Sequence, residues 1–357
     1  MTRFVWPLDL PLTVKVGAGL ILLAGSQYHL LSKLSSGSVF DPEFPRPLVI
    51  ALNWLFGTLI FLALMQLLLD AATLLAMPFA GSVTVSDSFR YAMAALAGVL
   101  AAIGVRQAIR VPALKDVEVR IAALPQQFDG YRLLHLTDLH ISKLFPRSWT
   151  EAVVERSTAL GADVILITGD VIDGALDARR DGVAPLRNLK APDGIYLSPG
   201  NHEYYFGYQA WMDHFATLGL RVLENEHVVI ERDGGKLVVA GVTDRTAKAF
   251  GLPGPDTAGA IADAPKDAPV VLLDHQPRNA RRAAELGVAL QLSGHTHGGM
   301  IPGLARLVAR SNAGYVSGHY DVLGMTLYVN NATGLWPGFA LRLGCPSELT
   351  RITLRAR

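Results

Sequence analysis

Apolar residues are distributed along this chain in two different ways, and the change lies near residue 110. Residues 47–69 contain no charged side chain, and a helix of that length spans the roughly 30 Å of bilayer hydrocarbon. Uncharged stretches also cover 16–32 and 91–105, each with a cation at both ends. Both are short for a span, but flanking cations can extend to the interfaces and complete it. The pattern predicts a helical membrane region over 1–112, with about three transmembrane spans near 13–32, 47–70 and 89–109.

Composition supports this division of the chain. The first 100 residues carry only ten of the 63 charged side chains. Buried or interfacial helices remain an alternative for the two shorter stretches. A cleaved signal peptide would explain only the first of them, because apolar segments recur well beyond residue 50.

The charges near the membrane predict its sidedness. With three spans, the loop at 33–46 and the C-terminal region share one side, and most of the flanking cations lie there. The positive-inside rule then places the C-terminal region in the cytoplasm, although one span more or fewer would reverse it. Cys345 is the only cysteine, so no internal disulfide forms, which fits a reducing compartment. The net charge of +1 gives no reason to expect a nucleic acid partner.

Beyond residue 113 the apolar residues fall in short runs that alternate between strand and helix patterns. The continuous run in 163–173 is typical of a strand buried on both faces. Residues 227–242 predict a hairpin with Asp233-Gly234 at its turn, and the capping box of Ser148 and Glu151 predicts the start of a helix. Further strands are predicted within 131–141, 194–203, 268–277, 288–297, 324–334 and 347–355. The fold class is therefore α/β, with a large sheet in two packed layers over residues 113–357.

Five of the predicted strands end in residues that can bind metal ions. Their motifs, in chain order, are TDLH, TGDVID, PGNHE, LDHQP and SGHTHGG. Open α/β sheets bind ligands outside the carboxyl ends of their strands, so the five strand ends are expected to converge. Taken alone, His295 and His297 also fit a glycine-rich turn with incidental histidines, because two ligands do not complete a metal site.

In this order the motifs resemble those of the calcineurin-like metallophosphoesterase superfamily: D-x-H, G-D-x-x-D, G-N-H-[DE], a lone H and G-H-x-H. The resemblance covers about residues 125–357 and implies that family's fold, two packed mixed β-sheets flanked by helices. It also implies two divalent metal ions with one shared ligand. The implied ligand sets are Asp138, His140, Asp170 and His297 for one ion, and Asp170, Asn201, His275 and His295 for the other.

The same resemblance implies that His202 assists the leaving-group oxygen. Mixed carboxylate, imidazole and amide ligands suit Mn, Fe or Zn rather than calcium. Asp173 is expected to orient a ligand or to cap a helix. Glu203 stands where the family often has aspartate, which leaves open whether it reaches the imidazole of His202. His135 lies inside a strand, where a core role is more typical than a ligand role.

These features predict a membrane-anchored, dinuclear metal-dependent phosphoric ester hydrolase that acts on a phosphodiester or pyrophosphate bond. An anchor beside the site favours a lipid-linked or nucleotide-lipid substrate, so the expected partners are the bilayer and a phosphorylated small molecule. Membrane-associated bacterial members with these motifs resemble the UDP-2,3-diacylglucosamine pyrophosphatases of lipid A synthesis, which implies an inner (plasma) membrane location. Alternatives are a nucleotide or phospholipid-headgroup phosphodiesterase, a protein phosphatase, and a non-catalytic membrane receptor. The presence of every matched ligand argues against the receptor.

Overall fold

The structure is a computed structural model that describes residues 3–81 and 84–356 of the chain. It contains two compact units, one formed by Met1–Ala108 with Pro337–Leu343, the other by Ile109–Trp336 with Gly344–Arg357. The boundary predicted at 112/113 lies four residues beyond the one between these units. The sequence pattern did not indicate that a segment near the C-terminus belongs to the helical unit.

The helical unit contains two helices that are long and apolar enough to cross a membrane, or three spans if a bent helix pair counts as one. The bent pair, with an angle of 53° at the break, stands where the first span was predicted. Leu75 and Phe79 on the longest helix are 75% and 92% exposed, as lipid-facing side chains would be. The helices are α1 Leu12–Ser26, α2 Tyr28–Ser36, α3 Arg46–Ala80 and α4 Asp87–Ala108.

Segment Pro337–Leu343 is held in this unit by Asn53, a buried polar residue of α3. The Asn53 side-chain amide donates to the Pro337 carbonyl at 3.0 Å. Its oxygen accepts from the Ala340 N–H at 2.8 Å. An amide inside an apolar helix must find hydrogen-bond partners, and this loop supplies them.

The second unit has the α/β fold with two mixed sheets that was predicted. Its strands are β1 Ala113–Ile121, β2 Arg132–Leu136, β3 Val164–Thr168, β4 Ile195–Ser198, β5 Arg221–Val222, β6 Glu226–Arg232, β7 Gly235–Gly241, β8 Val270–Leu273, β9 Leu290–Ser293, β10 Gly318–Val322, β11 Met325–Val329 and β12 Glu348–Ala356. Its helices are α5 Arg147–Ala159, α6 Leu176–Val183, α7 Asn201–Tyr205, α8 Tyr208–Thr217, α9 Thr257–Ala260, α10 Ala280–Glu285 and α11 Ala305–Ser311. The first sheet has the order β1-β12-β2-β3-β4-β5 and the second β10-β11-β9-β8-β7-β6.

Alternating residues on the strands of the second sheet build two different cores. Leu237 and Val239 of β7 belong to a core shared with strands of the first sheet. Val238 and Ala240 belong to a second core, which includes residues of α10. Both faces of the sheet are therefore apolar, which explains the continuous apolar runs in the sequence.

Local predictions have mixed outcomes. The hairpin with Asp233-Gly234 at its turn is confirmed as β6–β7. The capping box is wrong, because α5 begins at Arg147 after Pro146 and has no side-chain cap. Glu151 instead pairs with Arg147 at 2.8 Å, one turn earlier on the same helix. Strands β1, β5 and β10 were not predicted.

Parallel pairing brings the motif-bearing strand ends to common sheet edges. Leu136 at the end of β2 pairs with Ile167 of β3 in parallel. In the second sheet, Leu273 of β8 pairs with Leu292 of β9, also in parallel. Residues that follow these strands therefore leave the same edge of each sheet.

Candidate metal centre

The predicted ligands come together where the motifs follow β2, β3, β4, β8 and β9. Three groups of side chains each have ligand atoms within 4.8 Å of one another, and neighbouring groups share a member: Asp138, His140 and His297; His140, Asp170 and His202; Asp170, His275 and His295. The remaining predicted ligand, Asn201, contacts His275 Nε2 through its side-chain oxygen at 3.1 Å.

Asp170 lies between the two predicted ligand sets. Its Oδ2 is 3.2 Å from His275 Nε2 and 3.9 Å from His140 Nε2. In the first ligand set, Asp138 Oδ1 is 3.6 Å from His297 Nε2. One buried carboxylate thus faces histidines from both sets, which is the arrangement a bridging ligand requires.

His140 provides a test of whether metal ions fit these residues. Its Nε2 is buried and has no hydrogen-bond partner among the described residues. That nitrogen lies 3.8 Å from Asp138 Oδ1 and 3.9 Å from Asp170 Oδ2, too far for hydrogen bonds. A buried polar atom without a partner needs an explanation. A divalent ion between the imidazole and the two carboxylates would satisfy it, so the residues present fit the implied group.

Hydrogen bonds to the Nδ1 atoms of His275 and His140 favour rings whose Nε2 atoms face the proposed metal site. His275 Nδ1 lies 2.7 Å from the Thr168 carbonyl oxygen, which can only accept, so Nδ1 carries a hydrogen. His140 Nδ1 is bonded to Asp173 Oδ2 at 3.0 Å. In both residues the neutral imidazole then presents the Nε2 lone pair to the site, as metal-binding histidines do.

The charges of the site favour bound cations. Burial by itself lowers the pKa of His140. The carboxylates of Asp173, Asp138 and Asp170 outweigh that effect and raise the pKa to about 10. Burial would raise the pKa of Asp170, but the nearby histidines, His275 first, hold it well below its usual range. The carboxylate field that stabilises a proton on His140 also attracts a metal ion, and metal binding has to displace that proton.

The turns that carry the ligands are strained. Five of the seven predicted ligands have φ between 48° and 67°, in the left-handed region: Asp138, His140, Asp170, His295 and His297. Such a conformation costs a non-glycine residue on the order of 1–3 kcal/mol and concentrates at functional sites. The strain at all five positions supports a functional role for these turns.

Glycines next to the ligands allow close approach. A Cβ on Gly200 would collide with Oδ1 and the backbone nitrogen of Asp170. A Cβ on Gly294 would collide with Asp138 Oδ2 and Thr137 Oγ1. The glycines of PGNHE and SGHTHGG are therefore needed because the carboxylates pack directly against the backbone.

Asp173 connects a predicted ligand to the predicted catalytic histidine. Its fully buried carboxylate accepts from Nδ1 of His140 and from Nδ1 of His202. The two rings lie 4.7 Å apart in an edge-to-face arrangement. Helix capping, the alternative role for Asp173, does not occur here, because α6 begins at Leu176 and its N-cap is Ala175.

We expect Asp173→Asn to lower turnover or metal affinity by about 10–100-fold, as for other groups that orient a metal ligand. The amide oxygen cannot accept from both imidazoles as the carboxylate does. The measurements are kcat/KM and metal content. Asp177→Asn is the control, since its side chain is 99% exposed. Unchanged values in the Asp173 variant would contradict the orienting role.

Glu203 binds the backbone of the metal-site loops. Its carboxylate accepts from the N–H groups of Asp170 at 3.0 Å, Val171 at 2.7 Å and Gly200 at 2.7 Å. The question left by the sequence is thereby answered: Asp173 is bonded to the His202 ring, and Glu203 holds the loop after β3 to the start of α7.

Glu203→Gln should destabilise the second unit. Glutamine has one acceptor oxygen in place of two, so at least one buried N–H loses its partner, at a cost of about 1–3 kcal/mol. The free energy of unfolding from denaturant titration measures the change, and the exposed Glu155→Gln on α5 is the control. Equal stability in the two variants would show that the loop does not depend on this carboxylate.

His135 lies in the core and outside the three ligand groups. Its Nε2 is bonded to Thr168 Oγ1 at 2.8 Å. Burial lowers its pKa to about 3, so the ring is neutral near pH 7. Trp211 is likewise fully buried in the core and donates to the Gly174 carbonyl at 3.2 Å.

Comparison with known proteins gives a family match that lies within the second unit. Residues 131–299 match the sequence family described as Calcineurin-like phosphoesterase. A "Transmembrane protein with metallophosphoesterase domain" from Danio rerio is 33% identical over 281 residues, covering 76% of this chain and 64% of that protein. An "Uncharacterized metallophosphoesterase" from Helicobacter pylori (strain ATCC 700392 / 26695) is 32% identical over 253 residues, covering 70% of this chain and 66% of that protein. The chain thus spans slightly less than two thirds of these relatives. Among solved structures, a 5'-nucleotidase precursor from Thermus thermophilus is 18% identical with a TM-score of 0.40, covering 57% of this chain and 49% of that one.

Proposed function

We propose that this chain, which belongs to the calcineurin-like metallophosphoesterase superfamily, is a membrane-anchored hydrolase of phosphodiester or pyrophosphate bonds that uses two divalent metal ions. The observation that carries the proposal is the buried carboxylate of Asp170. It lies within 3.9 Å of imidazole nitrogens from both ligand sets.

The ligand sets would be those implied by the motifs. Asp138, His140, Asp170 and His297 would hold one ion, and Asp170, Asn201, His275 and His295 the other. Their mixed donors suit Mn, Fe or Zn. When bound, two such ions neutralise charge on the phosphoryl oxygens and lower the pKa of an attacking water.

His202 is the group that we expect to protonate or stabilise the leaving-group oxygen. Its Nδ1 is held by Asp173, which leaves Nε2 directed to the side of Asp170, 3.8 Å from Oδ2. Burial lowers the pKa of His202, but Asp170 and Asp173 outweigh it and the net shift is upward. A protonated imidazole held by hydrogen bonds is suited to general acid catalysis.

The membrane helices favour an amphiphilic substrate. The α3 and α4 helices are long and apolar enough to cross a membrane, and the Danio rerio relative is named as a transmembrane protein. A substrate with an acyl chain would already be concentrated in the same membrane. We therefore propose a lipid-linked or nucleotide-lipid substrate, with UDP-2,3-diacylglucosamine as one example. The catalytic unit would lie in the cytoplasm, and the helices in the plasma membrane.

Membrane fractionation tests the anchor. The full-length protein should remain in the membrane pellet after washes with high salt and alkaline carbonate, and detergent should release it. The reason is that the apolar helices would be exposed to water outside a bilayer. Release by salt alone would show that the helices do not span the membrane.

A substrate panel tests the reaction. Metal-depleted protein in detergent is reconstituted with Mn, Fe(II) or Zn and assayed with bis-p-nitrophenyl phosphate, p-nitrophenyl phosphate and a lipid-linked pyrophosphate. We expect metal-dependent hydrolysis of the diester and the pyrophosphate. Activity on the monoester alone would favour a phosphatase, and no turnover with any metal would favour a non-catalytic receptor.

A further inference from the structure

A basic cleft of about 410 Å³ lies in the second unit, between the 3₁₀ helix Arg245–Phe250 and the helices α9 and α10. Four cationic side chains and one acidic side chain line it: Arg245, Lys248, Arg278, Arg282 and Asp256. A concave surface with this excess of one charge concentrates ions of the opposite sign.

The positive charge of the basic cleft is largely uncompensated. Within the described part of the chain, Arg245 and Lys248 form no ion pair, and Arg282 pairs with Glu285 on its own helix at 3.8 Å. The carboxylate of Asp256 is engaged in capping α9. Arg278 donates to the Ser311 carbonyl at 3.3 Å but, among the described residues, has no carboxylate partner, so three of the four cations keep an uncompensated charge.

Hydrogen bonds join the two cation-bearing walls of the basic cleft, close in sequence to the predicted metal ligand His275. Arg278 follows His275 by three residues. Between them, Gln276 donates to both carboxylate oxygens of Asp244, at 3.1 and 3.0 Å. Asp244 caps the 3₁₀ helix that carries Arg245. These buried hydrogen bonds hold the two cation-bearing segments together.

An exposed apolar edge, formed by Tyr205 and Phe250, lies beside His202, and Phe250 ends the 3₁₀ helix whose Arg245 and Lys248 line the basic cleft. The ring centroid of Tyr205 is 5.3 Å from that of His202 and 6.2 Å from that of Phe250. Tyr205 and Phe250 are 40% and 50% exposed, so part of each ring is accessible to a ligand.

We propose that the basic cleft is a phosphate-binding subsite. The substrate would carry, besides the phosphorus attacked at the metal centre, a second phosphate group joined to an apolar moiety that contacts the apolar edge. The guanidinium forks and the ammonium group in the cleft suit phosphate oxygens. The nature of the substrate rests on the proposed hydrolase function, whereas phosphate binding in the cleft does not require hydrolysis.

Pyridoxal 5′-phosphate tests the subsite without relying on activity. Its aldehyde condenses with a lysine amine, releasing water, and added borohydride reduces the imine to a stable label that mass spectrometry locates. On the full-length protein in detergent, Lys248 should be labelled about tenfold faster than the exposed Lys266, as expected for hydrogen bonds to charged groups. Pyridoxal, which lacks the phosphate, should show no such preference. Equal labelling of the two lysines by pyridoxal 5′-phosphate would overturn the proposal.

Charge variants localise the binding to the cleft. Arg278→Gln with Arg282→Gln should remove the preference for Lys248. Arg281→Gln is the matched control, because Arg281 lies on the same helix and pairs with the same Glu285, at 3.3 Å, but does not line the cleft. A preference that survives the double substitution, or that disappears in the control, would also overturn the subsite. If Lys248 is labelled preferentially but no substrate is hydrolysed, the phosphate subsite is supported and the proposed hydrolase function is not.

Competition distinguishes a lipid headgroup from a soluble phosphate ester. Dihexanoyl phosphatidic acid and glycerol 3-phosphate carry the same phosphate group, with and without acyl chains. The lipid should protect Lys248 at about tenfold lower concentration, and Phe250→Ser should remove that advantage. Equal protection by both in the unmodified protein would refute contact of the apolar moiety with the edge, and protection by neither would refute phosphate binding.

Discussion

Replacing Asp170 by asparagine is expected to abolish hydrolysis and to lower the metal content of the protein. Oδ2 of this residue lies 3.2 Å from His275 Nε2 and 3.9 Å from His140 Nε2, so the loss of its charge weakens both proposed ion sites. The effect on turnover should exceed the roughly 10–100-fold typical of residues that only orient a ligand.

The Asp170→Asn experiment measures metal stoichiometry by elemental analysis together with kcat/KM on bis-p-nitrophenyl phosphate. The fold should persist, because the asparagine side-chain oxygen can still accept the hydrogen bond that Asp170 Oδ1 accepts from the backbone N–H of His202 at 2.8 Å. Asp267→Asn at an exposed position is the control. Full occupancy of both metal sites in the Asp170 variant would contradict the bridging assignment.

Replacing His202 by alanine should leave both metals bound and reduce turnover by roughly 10²–10⁴-fold, the contribution of general acid catalysis. The loss should depend on the leaving group. An alkoxide needs a proton or a positive charge most, whereas p-nitrophenolate needs it least. The ratio of kcat/KM for the two types of diester in both proteins therefore reports on the role of His202.

Metal analysis of the His202 variant is essential, because His202 also lies in a potential ligand group with His140 and Asp170. His319→Ala, at an exposed position on β10, is the matched control. An equal loss with both leaving groups and full metal content would indicate that His202 positions the phosphate. Loss of metal would instead make it a ligand.

The sequence indicated which residues could form the candidate site, but not which hydrogen bonds join them. Asp138, Asp170 and His275 could be identified because each lies just beyond a predicted strand, and open α/β sheets bind ligands outside the carboxyl ends of their strands. The bonding of Asp173 to two imidazoles could not be predicted in this way. It depends on the placement of the turn after β3 relative to that after β4, which no local pattern describes.

The fold, too, could be predicted where it depends on local patterns but not where it depends on contacts between residues far apart in the chain. The alternation of β6 and β7 around Asp233-Gly234 is a local property, so the hairpin was predictable. Strand β1 was missed because charged residues alternate along it, and its strand conformation depends on parallel pairing with β12, more than 200 residues away. The place of segment Pro337–Leu343 was missed for a related reason, because it depends on hydrogen bonds to Asn53, which is 284 residues from Pro337 in the sequence.

By itself, the sequence determined the apolar helices, the α/β class and the residue types that end each buried strand, because these follow from local periodicity and side-chain chemistry. Only the tertiary structure decided which atoms meet. Parallel pairing of β2 with β3 brings the Asp170 carboxylate near His140, and the packing of the two sheets brings it near His275. Through buried hydrogen bonds, Glu203 binds three backbone N–H groups and Asp173 binds the histidine rings. Distances of this kind depend on contacts between residues far apart in the chain, and such contacts leave no periodic pattern in the sequence.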